Sequence, residues 1–183
     1  MRVEVQSYRW LSIVAYAAAI WQIGLTCLIL PGTLEHDVTN VFIRISAIVP
    51  TLLWYLSMLT KRKNGTAWMM GAVTFPLHVL IAFHLGHAWS HTEAMSHVEQ
   101  TSGWGPGLFV SYAFGVVWFV DAMWLWIHPS SYRTRSKWLD RAMIGFLAFI
   151  VFNATVVYGG EFARWAGVAM FVMLGWRLLK TAQ

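Results

Sequence analysis

Of 183 residues, 58% are hydrophobic and 11% charged, and the mean hydropathy is +0.55; a water-soluble domain carries about 25% charged residues, so an aqueous globular fold is excluded and a bilayer is the expected solvent. The formal charge of +5 comes from short Lys/Arg clusters set between apolar runs rather than from one polar surface, which excludes a nucleic-acid-binding face and points to anionic lipid. The single cysteine, Cys27, excludes an internal disulfide and a cysteine-rich structural zinc site.

Crossing the hydrocarbon core takes about 20 apolar residues, and six runs come close to that length: 10–30, 41–59, 66–88, 108–127, 139–157 and 162–179. The first is longer than a signal-peptide core and no small-residue cleavage pattern follows it, so it is expected to be retained as a helix. Pro31-Gly32 ends that run, Asn64-Gly65 turns the chain after the second, and Gly159-Gly160 makes a tight hairpin before the sixth. Ahead of the fourth, Gly103-Trp104-Gly105-Pro106-Gly107 bends the chain back toward the membrane. The expected fold class is an all-α integral membrane protein, one polytopic domain over 1–183, with a bundle of six transmembrane helices, or five if the short last run does not span.

Cytoplasmic flanks carry the excess of Lys and Arg. Arg2, Arg9, Lys61, Arg62, Lys63, Arg133, Arg135, Lys137, Arg141, Arg177 and Lys180 share one side of a six-helix arrangement, and only Arg44 and Arg164 fall on the other. Both termini are therefore expected in the cytoplasm, with the chain in the cell membrane, or the inner membrane of a bacterium that has two. Indoles favour the interface, which predicts a cytoplasmic belt of Trp10, Trp68, Trp126, Trp138 and Trp176 and an outer belt of Trp89, Trp104 and Trp165. Trp21 and Trp118 sit deeper and are expected to pack. The pairs Ala82/Gly86 and Ala163/Gly167 would let the third and sixth helices touch. The stretch 129–141, basic and aromatic, reads as a short interfacial segment against anionic lipid.

Five of the seven histidines, His78, His84, His87, His91 and His97, fall in one stretch of the third run and the loop after it. At about 1.5 Å per residue from Thr66, His78 lies near mid-membrane and His84 near the outer boundary. If the third helix continues outward, steps of about 100° put His84, His87, His91 and Met95 on one face and His78, Glu93 and His97 on another. His87/His91 is then an i,i+4 chelating pair with His84 as third member, while Glu93 and His97 join only through a bend in the chain. Glu35, His36, Asp37, Glu99, Glu161 and Cys27 are further outer-side candidates. Imidazole suits zinc, copper and iron alike, so a transition metal is the expected cofactor and its identity stays open. Haem ranks lower, because a b-type site draws axial ligands from two facing helices and the membrane histidines here share one. The alternative is a set of solvated polar side chains at a helix end, with no ligand.

Two ionisable groups fall inside the apolar runs, His78 and Asp121, and such groups are costly unless they face the bundle interior. His78 is either a hydrogen-bonded core histidine or a functional group. Asp121 is either part of a structural pair, with Arg9, Arg177 and His128 as expected partners, or chemically active. Asn153 is expected to bridge two helices. No Ser-His-Asp pattern, nucleotide fingerprint or desaturase-type histidine boxes occur. Three function classes remain: a metal-binding or redox membrane protein working at the outer face, a non-catalytic structural subunit or assembly factor of a membrane complex, and a small transporter. The last ranks lowest, since His78 and Asp121 lie on opposite sides of the midplane. The expected partners are the lipid bilayer and, beyond it, a second copy of the chain or a larger membrane complex.

Overall fold

The structure, a computed structural model, describes residues 2–30, 36–60 and 65–182, with side chains described over 9–30, 38–60 and 65–180. Among the described residues there are no strands. The helices are α1 (Arg2–Ile29), α2 (His36–Leu59), α3 (Gly65–Gly86), α4 (His91–Ser102), α5 (Gly107–Ile127), α6 (Pro129–Thr134), α7 (Lys137–Phe152), a π-helical stretch (Asn153–Val157) and α8 (Glu161–Ala182). Six of them are long and apolar enough to cross a membrane: Arg9–Ile29, Val38–Leu59, Gly65–Gly86, Gly107–Ile127, Lys137–Val157 and Glu161–Lys180. Each overlaps one of the six expected runs, and the last one has a span's length.

Lipid tails are as apolar as leucine, so helices in a bilayer gain most where small residues let backbones and large rings interlock. That places α3 at the centre, packed on α1, α2 and α5. Gly71 of α3 lies directly under the Trp118 ring of α5, where an added Cβ would come within 2.4 Å. Gly115 of α5 receives Phe75 of α3 in the same manner. Around this contact Trp54, Trp68, Phe114, Trp118 and Leu147 form the main core, and Ala15, Leu53 and Ala67 fasten α1 to it.

Several side chains stand elsewhere than the sequence suggests. Gly86 approaches Ile43 of α2, and Gly167 approaches Thr155 and Val156 of the π-helical stretch, so the expected meeting of the third and sixth spans is replaced by these contacts. Trp68 is fully buried and Trp21 is exposed, the reverse of their expected roles. Trp68 lies in the first turn of the central helix, where α5 covers it. The Asn153 amide donates to Phe149 O at 2.7 Å within its own helix and does not bridge to another. The π-helical stretch closes with Tyr158 N–H donating to Asn153 O at 2.9 Å. In the following hairpin, a Cβ on Gly159 would stand 2.1 Å from Thr155 O, so only glycine fits.

Candidate functional site

The polar groups gather at three levels: a histidine-bearing end, a mid-bundle cavity, and a basic end.

At the histidine end the continuous helix is overturned. α3 stops at Gly86, and Ala88 and Trp89 take φ of 45° and 63°, a left-handed conformation that costs non-glycine residues free energy. Backbone bonds hold the turn: Trp89 N–H donates to Phe83 O at 3.0 Å and Ser90 N–H to His87 O at 2.7 Å. Ser90 then caps α4, its Oγ accepting from Glu93 N–H at 3.2 Å. The sequence carried the signal for this restart, since Ser90-His91-Thr92-Glu93 has the S-x-x-E spacing of a capping box.

The break redistributes the predicted ligands. His84 turns to Trp89, whose indole N–H donates to Nδ1 at 3.2 Å. His91, now the first residue of α4, lies against Phe83 and Tyr112, with ring centroids 5.1 and 6.0 Å away. The His87 ring meets Phe83 at 5.7 Å and His97 at 5.4 Å between centroids, so His97, expected on another face, is brought to His87. Glu93 precedes His97 by four residues on α4, a spacing that sets both on one face. Burial lowers the His87 pKa from its ordinary value and His97 lowers it further, against opposing contributions from Glu93 and the Gly86 backbone. Among the described residues, no three His, Cys, Asp or Glu side chains form a ready set for one metal ion. The side chains of Glu35, His36 and Asp37 lie outside the described residues.

In mid-bundle, His78 Nδ1 is 2.9 Å from Ser46 Oγ, which is 2.8 Å from Ile43 O. A serine hydroxyl has one proton, so Ser46 donates to Ile43 O or to His78 Nδ1, and the tautomer of the ring decides which. His78 lines a cavity of about 100 Å³ together with Pro50, Trp54, Trp118 and the π-helical Ala154 and Thr155. The Trp54 and Trp118 indole N–H groups are buried without a partner. Neither tryptophan stood out as polar in the sequence, because an indole donor is visible as unsatisfied only once its surroundings are known.

At the basic end Asp121, 5% exposed, is a hub. Its Oδ2 accepts from Trp68 Nε1 and Tyr132 OH, each at 2.8 Å, and its Oδ1 is ion-paired with Arg135 Nη1. Arg135 also pairs with Asp140 and lies 3.9 Å over the Tyr132 ring. The expected partners Arg9, Arg177 and His128 are thus replaced by Arg135, Tyr132 and Trp68. The turn through α6 carries Tyr132 and Arg135 back under the end of α5, which a depth count along single helices does not reveal. Burial by itself would lower the Arg135 pKa; hydrogen bonds to Asp121 and Asp140 outweigh it and raise the value.

No protein-family model, curated protein or solved structure matches this chain.

Proposed function

We propose that this chain is a multi-pass membrane protein that binds a transition-metal ion at its outer face, with His87 and His97 as nitrogen ligands and Glu93 as the carboxylate nearest to joining them. The observation that carries this reading is the approach of the two imidazoles across a strained turn. Backbone strain held against its cost is a pointer to function, and this turn brings His87 to a residue ten positions away in sequence. Metal binding needs the neutral imidazole, and the lowered pKa of His87 favours that form at neutral pH. Two imidazoles with one carboxylate and water suit zinc, copper or iron, and the donors do not choose among them.

Elemental analysis and zinc titration of the purified protein test this. His87→Ala and His97→Ala should each abolish stoichiometric metal, while His84→Ala, His91→Ala and His128→Ala should retain it. Protein that carries no metal, and that neither binds added zinc or copper nor melts higher in its presence, refutes the reading.

One observation favours a second reading, a non-catalytic subunit or assembly factor. Only 11% of the span of α8 is buried, against 44% of α3, which leaves most of the surface of that helix uncovered within the described residues. Co-purification in mild detergent tests it: recovery of the chain alone counts against it. A transporter gains no such support, because Asp121 is committed to Trp68, Tyr132 and Arg135 and is unavailable to a path shared with His78.

A further inference from the structure

A second feature lies at the opposite end of the bundle and is independent of the histidines. The start of α3, the end of α5, α6 and the start of α7 enclose a pocket of about 850 Å³, within the size range of small-molecule sites. Four cations, Arg133, Arg135, Lys137 and Arg141, line it, with Asp140 the one acid among its described lining residues. Asp121 and Asp140 hold Arg135 in place. Arg133, Lys137 and Arg141 are exposed, and no carboxylate among the described residues pairs with them, so the pocket keeps an excess of positive charge. Its other wall is apolar: Ala122, Leu125 and Trp126 belong to the last turns of the α5 span, which ends at Ile127. The cations all follow that end in the chain.

We propose that this pocket binds the phosphate of an anionic lipid headgroup. Guanidinium forks and an ammonium match phosphate oxygens, and the apolar wall at the end of a span suits the glycerol and first acyl carbons of an amphiphile. A zwitterionic lipid brings a cation of its own into a pocket already rich in them, so the net negative headgroup is favoured. Free phosphate shares the anion and lacks the apolar part.

The full-length protein in detergent is titrated with dioctanoyl phosphatidylglycerol, dioctanoyl phosphatidylcholine and inorganic phosphate, and retained ligand is counted by native mass spectrometry. One phosphatidylglycerol should be retained in preference to phosphatidylcholine. Near a membrane surface each Lys or Arg contributes about 1 kcal/mol toward anionic lipid, roughly a fivefold change in affinity. Lys137→Gln and Arg141→Gln should thus each weaken binding roughly fivefold, and together roughly thirtyfold if additive. Lys180→Gln, a cation outside the pocket, should change nothing. Both pocket substitutions are at exposed positions, and an unchanged melting temperature confirms that the fold survives. Equal retention of the two lipids, or phosphatidylglycerol binding indifferent to Lys137→Gln/Arg141→Gln, overturns the site. Inorganic phosphate binding as tightly as phosphatidylglycerol and displacing it overturns the lipid as the source of the anion.

Discussion

Asp121 offers the sharpest test of how the bundle is held together, because its two oxygens do different work. Oδ2 accepts from Trp68 and Tyr132, and Oδ1 faces Arg135. In Asp121→Asn the amide oxygen can keep the Oδ2 position and both donors, while the amide nitrogen replaces the oxygen that faces the guanidinium. The loss is then confined to the ion pair, and Asp140 still compensates Arg135 in part. Removing one partner of a buried pair costs about 3–5 kcal/mol; with Asp140 in place the asparagine variant should lose about 2 kcal/mol. Asp121→Leu removes both oxygens, and with them the acceptor of two buried donors, each such loss costing about 1–3 kcal/mol, as well as the charge facing Arg135, so it should lose at least about 4 kcal/mol. The assay is denaturation in mixed micelles, followed by near-ultraviolet circular dichroism, which reports the packing of the aromatic side chains, Trp68 among them. Adding Arg135→Met to Asp121→Leu should recover part of the loss, because no uncompensated guanidinium then remains buried. If both single variants fall within about 0.5 kcal/mol of the parent, as ordinary surface substitutions do, the hub bears no stability and the reasoning fails.

Gly71→Ala should destabilise the protein by about 1–3 kcal/mol through overpacking, since the new Cβ meets the buried Trp118 ring; an unchanged melting temperature would mean that α3 and α5 are not in close contact. In metal-free protein, the folded pKa of His87 lies below its ordinary value of about 6.5, so between those two values the unfolded chain binds more protons. Stability should therefore fall as pH drops below about 6.5 and level off beneath the folded pKa, and His87→Gln should flatten the curve; a slope of the opposite sign contradicts the burial. For topology, in a Cys27→Ser background, a cysteine at Thr92 should react with an impermeant reagent in intact cells and one at Ser136 only after the membrane is opened. The reverse pattern refutes the orientation.

The six long apolar helices were legible because their signal is long and redundant: about 20 apolar residues each, bounded by turn chemistry such as Gly159-Gly160, where the structure admits no side chain at Gly159. Which helix is central was not legible. Hydropathy reports that a segment avoids water and is silent on whether its neighbours are lipid or protein, so Trp68 read as an interfacial indole and Trp21 as a packing one. The same blindness hid the partners of Asp121. Depth along separate helices pointed to Arg9, Arg177 and His128, whereas Trp68 reaches it from α3, and Tyr132 and Arg135 arrive on a short helix, α6, and its C-cap, folded back beneath α5.

The histidine end failed for a different reason, and the reason bears on what it does. Neither proline nor glycine occurs between His87 and Ser90, so apart from the S-x-x-E spacing that opens α4 nothing there interrupts the 3.6-residue periodicity, and the residues that adopt left-handed φ are an alanine and a tryptophan that seldom do. A turn made by residues unsuited to it has to be held by its surroundings. Here Phe83, Ala94 and Leu108 pack α4 back onto α3 and α5, and the His84–Trp89 hydrogen bond ties the turn to the helix before it. The two ends of the bundle consequently respond differently to conditions. At the basic end the guanidinium of Arg135 stays charged at any working pH, matched by two carboxylates. At the other end His87 is weighted toward its neutral form, which acid converts to the charged one. A loss of metal on mild acidification that leaves the Asp121 hub intact is therefore the pattern that assigns chemistry to the histidine end and architecture to the basic one.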